Sequence, residues 1–302
     1  MSVSARDVTD AQLRYFNAEA AQDGVIIMGE PPGVTKEEYR QRRRLMTKLH
    51  SCTVFDARPR ADEFDLDKEG FAFLPSPEAV DFRDKKQVKA LYYDRMAELV
   101  KRHTGAESVV VLSHLLRTED PPNFTSAYAG FAHLDYGPQF EPKWRNMLTK
   151  RYGMAAEKVA GLDIVMINAW HPFDNNAYKN PLCYLDWTST NLDTDAIPYF
   201  YGSNPTYKRN ERDPRSPELT PALGALHNPA HKWWFLPDME PSRTLLFKQW
   251  DTREAVAKCT FHTSFRDEFH DDWAECPPRR SIEMRLMVLM ARGGRAEGAS
   301  RL

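Results

Sequence analysis

The stretch GFAHLDYGP, residues 130–138, sets His133 and Asp135 two positions apart among aromatic, small and apolar residues. In an extended chain successive side chains alternate between faces, so positions i and i+2 share one. An imidazole and a carboxylate side by side form either a hydrogen-bonded structural couple or two-thirds of a metal site. A metal needs a further donor from a distant part of the chain, and nine histidines are on offer. His50, His103 and His270 lie in helical or strongly charged surroundings and read as surface residues. His227 and His231 fall in or beside a Pro- and Asn-rich stretch. His114, in VVLSHLLR, reads as a core histidine, and His171, in NAWHPF, as a strand-end residue able to support a site. His262 differs: it lies in CTFHTSF, short and aromatic like the first motif, with one more strand-like run behind it.

His133, Asp135 and His262 would make the two-histidine, one-carboxylate set of non-haem iron(II) oxygenases, which leaves coordination places open for other ligands. Zinc is usually held by three histidines, or by two histidines and a glutamate. The following run, RRSIEMRLMVL, read with period two, puts Arg280, Ile282, Met284, Leu286 and Val288 on one face and Arg279, Ser281, Glu283, Arg285 and Met287 on the other. The second face cannot meet apolar packing without partners. A barrel lumen holding an anionic co-substrate would supply them, since a guanidinium grips a carboxylate and a nearby serine adds a donor. The competing reading is a solvated face with Glu283 paired to Arg285. Strand rise puts Arg279 and Arg285 about 20 Å apart, too far for both to hold one small anion. Arg279 with Ser281 is favoured, because a hydroxyl two residues from a guanidinium supplies converging donors.

The elements that would carry these residues are short. From about Ser108 onward, SVVVLSHLLR, LDIVMINAWHP, PLCYLD, KWWFLP, TLLFKQW, CTFHTSF and SIEMRLMVLM are rich in β-branched and aromatic residues and separated by Pro, Asn, Asp and Gly, the texture of a sandwich or barrel. The first third mixes strand-like GVIIM, CTVFD and GFAFL with helical patterns at about Thr35–Leu49 and Lys86–His103. A further helix, FEPKWRNMLTKRYG, is expected to end at Gly153. Tyr201–Pro229 reads as a long loop over the mouth of the barrel. The expected fold is mainly β with flanking α-helices, a double-stranded β-helix or cupin-like jelly roll, in one domain. Residues 1–105 would form an α/β wrap, 106–292 the core and 293–302 a flexible tail.

A net charge of −2 lacks the basic footprint that nucleic-acid binding needs. No run of eighteen apolar residues occurs, and the N-terminus has neither an apolar leader stretch nor an Arg-rich, acid-poor makeup. Cys52, Cys183, Cys259 and Cys276 are scattered without a C-x-x-C pair, which suits free thiols and a cytoplasmic setting.

Taken in order, DKEGFAF, TGAESVVVLSHLLR, AHLDYGP, INAWHP, NPLCYLD, HKWWFLPDMEPSRTLLFKQWDT, TFHTSF and PPRRSIEMRLMVL resemble the natural-product oxygenases that include the gibberellin desaturase, the AsaB-like hydroxylase/desaturases and the cephamycin 7α-hydroxylation component. The resemblance implies iron(II), with 2-oxoglutarate and dioxygen as co-substrates, and hydroxylation, desaturation or cyclisation of a natural-product or amino-acid-like small molecule. It implies metal ligands at His133, Asp135 and His262, and a co-substrate anchor region at Arg279, Ser281 and Arg285. Tyr136, Asn168, Trp170, His171 and Trp234 are expected to line the cavity or support the ligands. One departure from the family pattern is Trp170-His171-Pro172, where WRP is expected. No nucleic-acid or membrane partner is expected, and a homo-oligomer is left open. The competing readings are a non-enzymatic cupin-like binding protein and a metal-dependent hydrolase. The hydrolase lacks any H-E-x-x-H motif to supply its base.

Overall fold

The computed structural model describes residues 6–28, 35–118, 128, 130–200, 221–266 and 275–292. Its strands are β1 (Val8–Phe16), β2 (Ile26–Ile27), β3 (Thr47–Asp56), β4 (Phe71–Pro75), β5 (Ser108–Thr118), β6 (His133–Leu134), β7 (Leu162–Pro172), β8 (Leu182–Leu185), β9 (Ala196–Phe200), β10 (Ala222–Ala225), β11 (Trp233–Phe235), β12 (Arg243–Asp251), β13 (His262–Ser264) and β14 (Arg280–Ala291). They form a nine-stranded sheet, β1-β3-β11-β8-β13-β6-β10-β9-β2, and a five-stranded sheet, β4-β12-β7-β14-β5. The two pack through shared apolar clusters. One joins Leu185 and Trp233 of the larger sheet to Ile164, Met166 and Met287 of the smaller, and another joins Tyr184 to Phe71, Trp170 and Phe247. This is the two-sheet β architecture the sequence texture predicts.

The smaller sheet shows why its sequences read as they do. Along β7, Val165, Ile167 and Ala169 point to one side with Ile282, Met284 and Leu286 of β14. That side is covered by a helical run made of α2 (Lys85–Gln87), a π-wound turn (Val88–Tyr92) and α3 (Tyr93–Thr104), whose Val88, Tyr92, Met96 and Val100 recur every four residues and are buried. Burying such side chains contributes about 1.5–3 kcal/mol each, which fixes the helix to the sheet. Gly105, at φ 65°, ends the run in the left-handed conformation glycine tolerates. The opposite side of β7 and β14 carries Asn168, Trp170, Ser281, Glu283 and Arg285, and it faces the interior between the sheets.

Three expectations are corrected. The helix read over Thr35–Leu49 is α1 (Lys36–Leu45), closed at its start by a reciprocal Thr35–Glu38 capping box. From Thr47 the chain is already β3, because Thr47–Cys52 find backbone partners along β1. The stretch Tyr201–Pro229 is not all loop: β10 lies inside it, paired with β9 and β6, while 201–220 lie outside the described residues, as does the tail at 293–302. The first hundred residues contribute β1, β2 and β3 to the larger sheet and β4 to the smaller. Helix α4 (Glu141–Lys150) stops one turn before Gly153, which holds φ at 66°.

Candidate metal centre

β6 and β13 are short neighbours in the larger sheet, with His133 and His262 directly opposite each other. Opposed residues of an antiparallel pair share a face, and the two imidazole centroids are 4.4 Å apart. Asp135 lies one residue beyond the end of β6. It joins the histidines through tertiary contacts rather than through the pleat of a longer strand. Its backbone N–H donates to Gln249 Oε1 at 2.7 Å, and its Oδ2 accepts from Asn168 Nδ2 at 2.9 Å and Arg285 Nε at 3.0 Å. The result is a group in which one ligand atom from each of His133, Asp135 and His262 lies within 4.8 Å of the others. Among the described residues it is the one cluster of three or more such donors.

The protonation pattern suits a cation. His133 Nδ1 meets the Phe131 carbonyl oxygen at 2.9 Å. A carbonyl only accepts, so Nδ1 carries the proton and Nε2 keeps its lone pair. That Nε2 lies 3.7 Å from Asp135 Oδ1. Burial pushes both imidazoles below their ordinary range, more strongly at His262, where His133 acts in the same direction and Asp135 opposes it. Burial by itself would raise the Asp135 carboxyl, but the Arg285 guanidinium, with the Asn168 amide also donating to it, holds it well below the usual carboxylate range. Two neutral imidazoles and a carboxylate are the donor set that non-haem iron(II) accepts with places to spare.

The interior face of the smaller sheet extends the site. Arg285 Nη2 reaches Glu283 Oε1 at 3.3 Å, Asn168 Nδ2 lies 3.4 Å from the same oxygen, and Arg117 Nε on β5 reaches Glu283 Oε2 at 3.3 Å. Arg285, which the resemblance groups with the co-substrate anchor region, has its guanidinium on Asp135 and Glu283. Arg279 sits elsewhere. It is buried, with its guanidinium 4.5 Å from the centroid of the Tyr128 ring and 5.8 Å from that of Trp170. Its Nη1 donates to the Asn180 carbonyl and, at 3.1 Å, to Ser264 Oγ. Ser264 is two positions beyond His262 on β13, hence on the same face and about 7 Å along the strand. Ser281 is fully buried, and its Oγ finds no hydrogen-bond partner among the described residues.

Of the five supporting residues expected from sequence, Asn168 touches Asp135 directly. Trp170 lies opposite Glu283 and faces the Arg279 guanidinium. Trp234 is on the same face as His262, two strands away across Tyr184. Tyr136 packs edge-on against Phe140 and Trp144, and burial pushes its hydroxyl up to about 12. His171 does not belong to the site, which corrects that expectation. Period two along β7 turns it to the opposite side from Asn168, where its Nε2 meets Tyr92 OH at 2.6 Å and its Nδ1 meets the Pro172 carbonyl at 2.7 Å. Gln249 and Ser264 escaped the sequence reading. Ser264 carried a usable signal, its spacing from His262; Gln249 carried none, because the β12 bulge between Lys248 and Trp250 sets its position.

Comparison with known proteins adds an independent line. A family model described as oxidoreductase/YMDC permease-like domain matches residues 13–289. The hydroxylase/desaturase efuI of Hormonema carpetanum is 29% identical over 296 residues, covering 91% of this chain and 93% of that protein. The Fe(II)/2-oxoglutarate-dependent dioxygenase nvfI of Aspergillus novofumigatus is 26% identical over 253 residues, covering 82% and 84%. A solved structure of the iron and alpha-ketoglutarate-dependent endoperoxidase NvfI superposes with a TM-score of 0.76 at 22% identity, covering 97% of this chain and 100% of that one, so the fold is shared throughout. No helix among the described residues is long and apolar enough to cross a membrane.

Proposed function

The chain belongs to the oxidoreductase/YMDC permease-like domain family, and from that membership and the geometry of its centre we propose that it is an iron(II)- and 2-oxoglutarate-dependent oxygenase. The observation that carries the reading is the convergence of His133, Asp135 and His262 within 4.8 Å of one another on the interior of a two-sheet β fold. When bound, the iron supplies the chemistry by which 2-oxoglutarate and dioxygen together oxidise an unactivated carbon–hydrogen bond. His133 and His262 hold it through ring nitrogens kept neutral by burial, and Asp135 through a carboxylate kept ionised by Arg285.

Arg279 holds the far carboxylate of the co-substrate, with Ser264 and Ser281 as neighbouring hydroxyls. Support comes from its link to Ser264 on the His262 strand, a separation comparable to a five-carbon diacid. The aromatic rings beside the histidines shape a small, largely apolar substrate site and exclude water. Phe247 lies 4.7 Å from His262 and Phe131 5.1 Å from His133, between ring centroids. Such a site suits a natural-product skeleton that is hydroxylated or desaturated. The four cysteines are free, and the reading places the enzyme in the cytosol.

Anaerobic addition of iron(II) and 2-oxoglutarate should give the weak visible charge-transfer absorption of a keto-acid chelate. His262→Ala should lose that absorption and all succinate formation while its circular dichroism stays that of the wild type. A wild-type protein that binds iron without the absorption, or a His262→Ala protein that keeps turning over 2-oxoglutarate, would sink the assignment.

A further inference from the structure

Asp135 has two oxygens, and the structure treats them differently. Oδ2 is occupied twice, by Asn168 Nδ2 at 2.9 Å and Arg285 Nε at 3.0 Å, whereas Oδ1 faces His133 Nε2. We propose that Asn168 and Arg285 are positioning residues that confine Asp135 to one ligating oxygen, so that the carboxylate takes a single coordination place and leaves the rest to co-substrate and dioxygen. The inference rests on the oxygenase reading and deepens it.

The orientation of Asn168 is dictated by chemistry rather than chosen. Its amide lies between two carboxylates, Asp135 and Glu283, which only accept, so its NH2 must face them. Its Oδ1 is buried and has no hydrogen-bond partner among the described residues, which shows that the amide is held by its nitrogen. Arg285 is braced from behind. One edge of its guanidinium meets Asp135, and another meets Glu283, whose second oxygen is taken by Arg117. In this row carboxylate and guanidinium alternate: Asp135, Arg285, Glu283, Arg117. Each charge is flanked by its opposite, so the attraction of Glu283 and Asp135 holds Arg285 on Oδ2 against the repulsion of a divalent cation at Oδ1. Register reinforces the arrangement, because Arg285 and Asn168 are paired across β14 and β7 and so reach Asp135 side by side. The Asp135 backbone N–H, tied to Gln249, fixes the third side of the carboxylate's mount.

The partners that orient a ligand typically change metal affinity or activity by about ten- to a hundredfold when removed, but a loss of activity alone would not separate positioning from folding. Cobalt(II) substitution gives a direct readout, since its visible d–d bands report coordination number. Three proteins are compared: wild type, Asn168→Leu, and the charge-balanced pair Arg285→Met with Glu283→Gln, which removes the charge of Glu283 together with that of Arg285 should Arg285→Met alone fail to fold. Each variant removes one of the two donors that occupy Oδ2, so Asp135 is partly released to offer its second oxygen. The expected result is a changed d–d spectrum in the metal-only protein, and 2-oxoglutarate binding to the cobalt form weakened by about tenfold. Removing a neighbouring cation would by itself tighten divalent-ion binding, so tighter cobalt binding with an unchanged spectrum would make Arg285 merely electrostatic and overturn the proposal. Unchanged spectra in both variants would overturn it too. If the wild type gives the keto-acid absorption while the variants keep its cobalt spectrum, the oxygenase reading stands and this inference alone fails. Absence of the absorption in the wild type would instead sink the reading beneath it.

Discussion

At the scale of single residues, the two arginines of the last strand carry different work although their spacing in sequence makes them look like a pair. Arg285 is spent on Asp135 and Glu283. Arg279 is held near His262 through Ser264 and lies over aromatic rings. A charge-assisted hydrogen bond contributes roughly 1.5–3 kcal/mol, so losing the anchor should weaken 2-oxoglutarate binding about ten- to a hundredfold. Calorimetric titration of 2-oxoglutarate into the anaerobic metal-loaded protein should show that loss for Arg279→Gln. For Arg285→Gln, which loosens Asp135 rather than the anchor, the loss should be about tenfold at most and smaller than that of Arg279→Gln; the reverse order would exchange their roles. The convergence of His133, Asp135 and His262 was legible in the sequence because H-x-D and a late histidine are short, local patterns whose donor chemistry is restrictive. Their supports were not, because Asn168, Gln249 and Ser264 reach the centre through strand register, which no local window contains. His171 shows the converse: its neighbours Trp170 and Pro172 suggested a site, yet one step along a strand turned it to Tyr92.

At the scale of elements, strands with a strong apolar alphabet were legible and polar ones were not. β7, β12 and β14 announce themselves. β1, with VTDAQLRYF, and β10, with ALGA, are strands only because a partner strand offers its backbone. β10 nonetheless matters to the centre. Gly224 lies opposite His133, and a Cβ at that glycine would run into the Phe16 ring, which itself packs edge-on to Phe131 at 5.2 Å. Phe131 supplies the carbonyl that fixes the His133 tautomer. Gly224→Ala must therefore push either Phe16 or β10 aside. Overpacking of this kind costs typically about 1–3 kcal/mol. The expected outcome is a lower melting temperature together with weaker cobalt(II) binding. Leu223, whose side chain is turned to the other face by period two, supplies a control: Leu223→Ala should lower stability with the metal affinity retained. Equal cobalt affinity in Gly224→Ala and wild type would show that β10 does not transmit strain to His133.

At the scale of the whole molecule, the cores on the two sides of the smaller sheet differ in what they ask of pH. The interior side carries the candidate metal ligands; the far side, under α3, carries His171 hydrogen-bonded to Tyr92 and the Pro172 carbonyl. Burial pushes His171 down to about 4, with the Pro172 carbonyl acting weakly in the other direction. A histidine in the unfolded chain takes its proton near pH 6.5. Between those values the unfolded state binds more protons than the folded one, so stability is full above about pH 6.5 and drains as pH falls toward 4. At ~1.4 kcal/mol per unit, the full loss from this one residue is roughly 3 kcal/mol. His231, lowered by burial against the opposing pull of Asp195, adds to the slope in the same direction, as do the two ligand histidines while no metal is bound. These shared contributions cancel when two proteins are compared. His171→Gln keeps an amide for the Tyr92 hydroxyl but has nothing to titrate. Its stability at pH 7 should fall modestly, and its further loss between pH 7 and pH 4.5 should be about 2 kcal/mol smaller than that of the wild type. Urea unfolding of both metal-free proteins at the two pH values measures the difference. Parallel losses in the two would mean that His171 is protonated in the folded state, and that the contact with Tyr92 is not what keeps the helix on the sheet in acid.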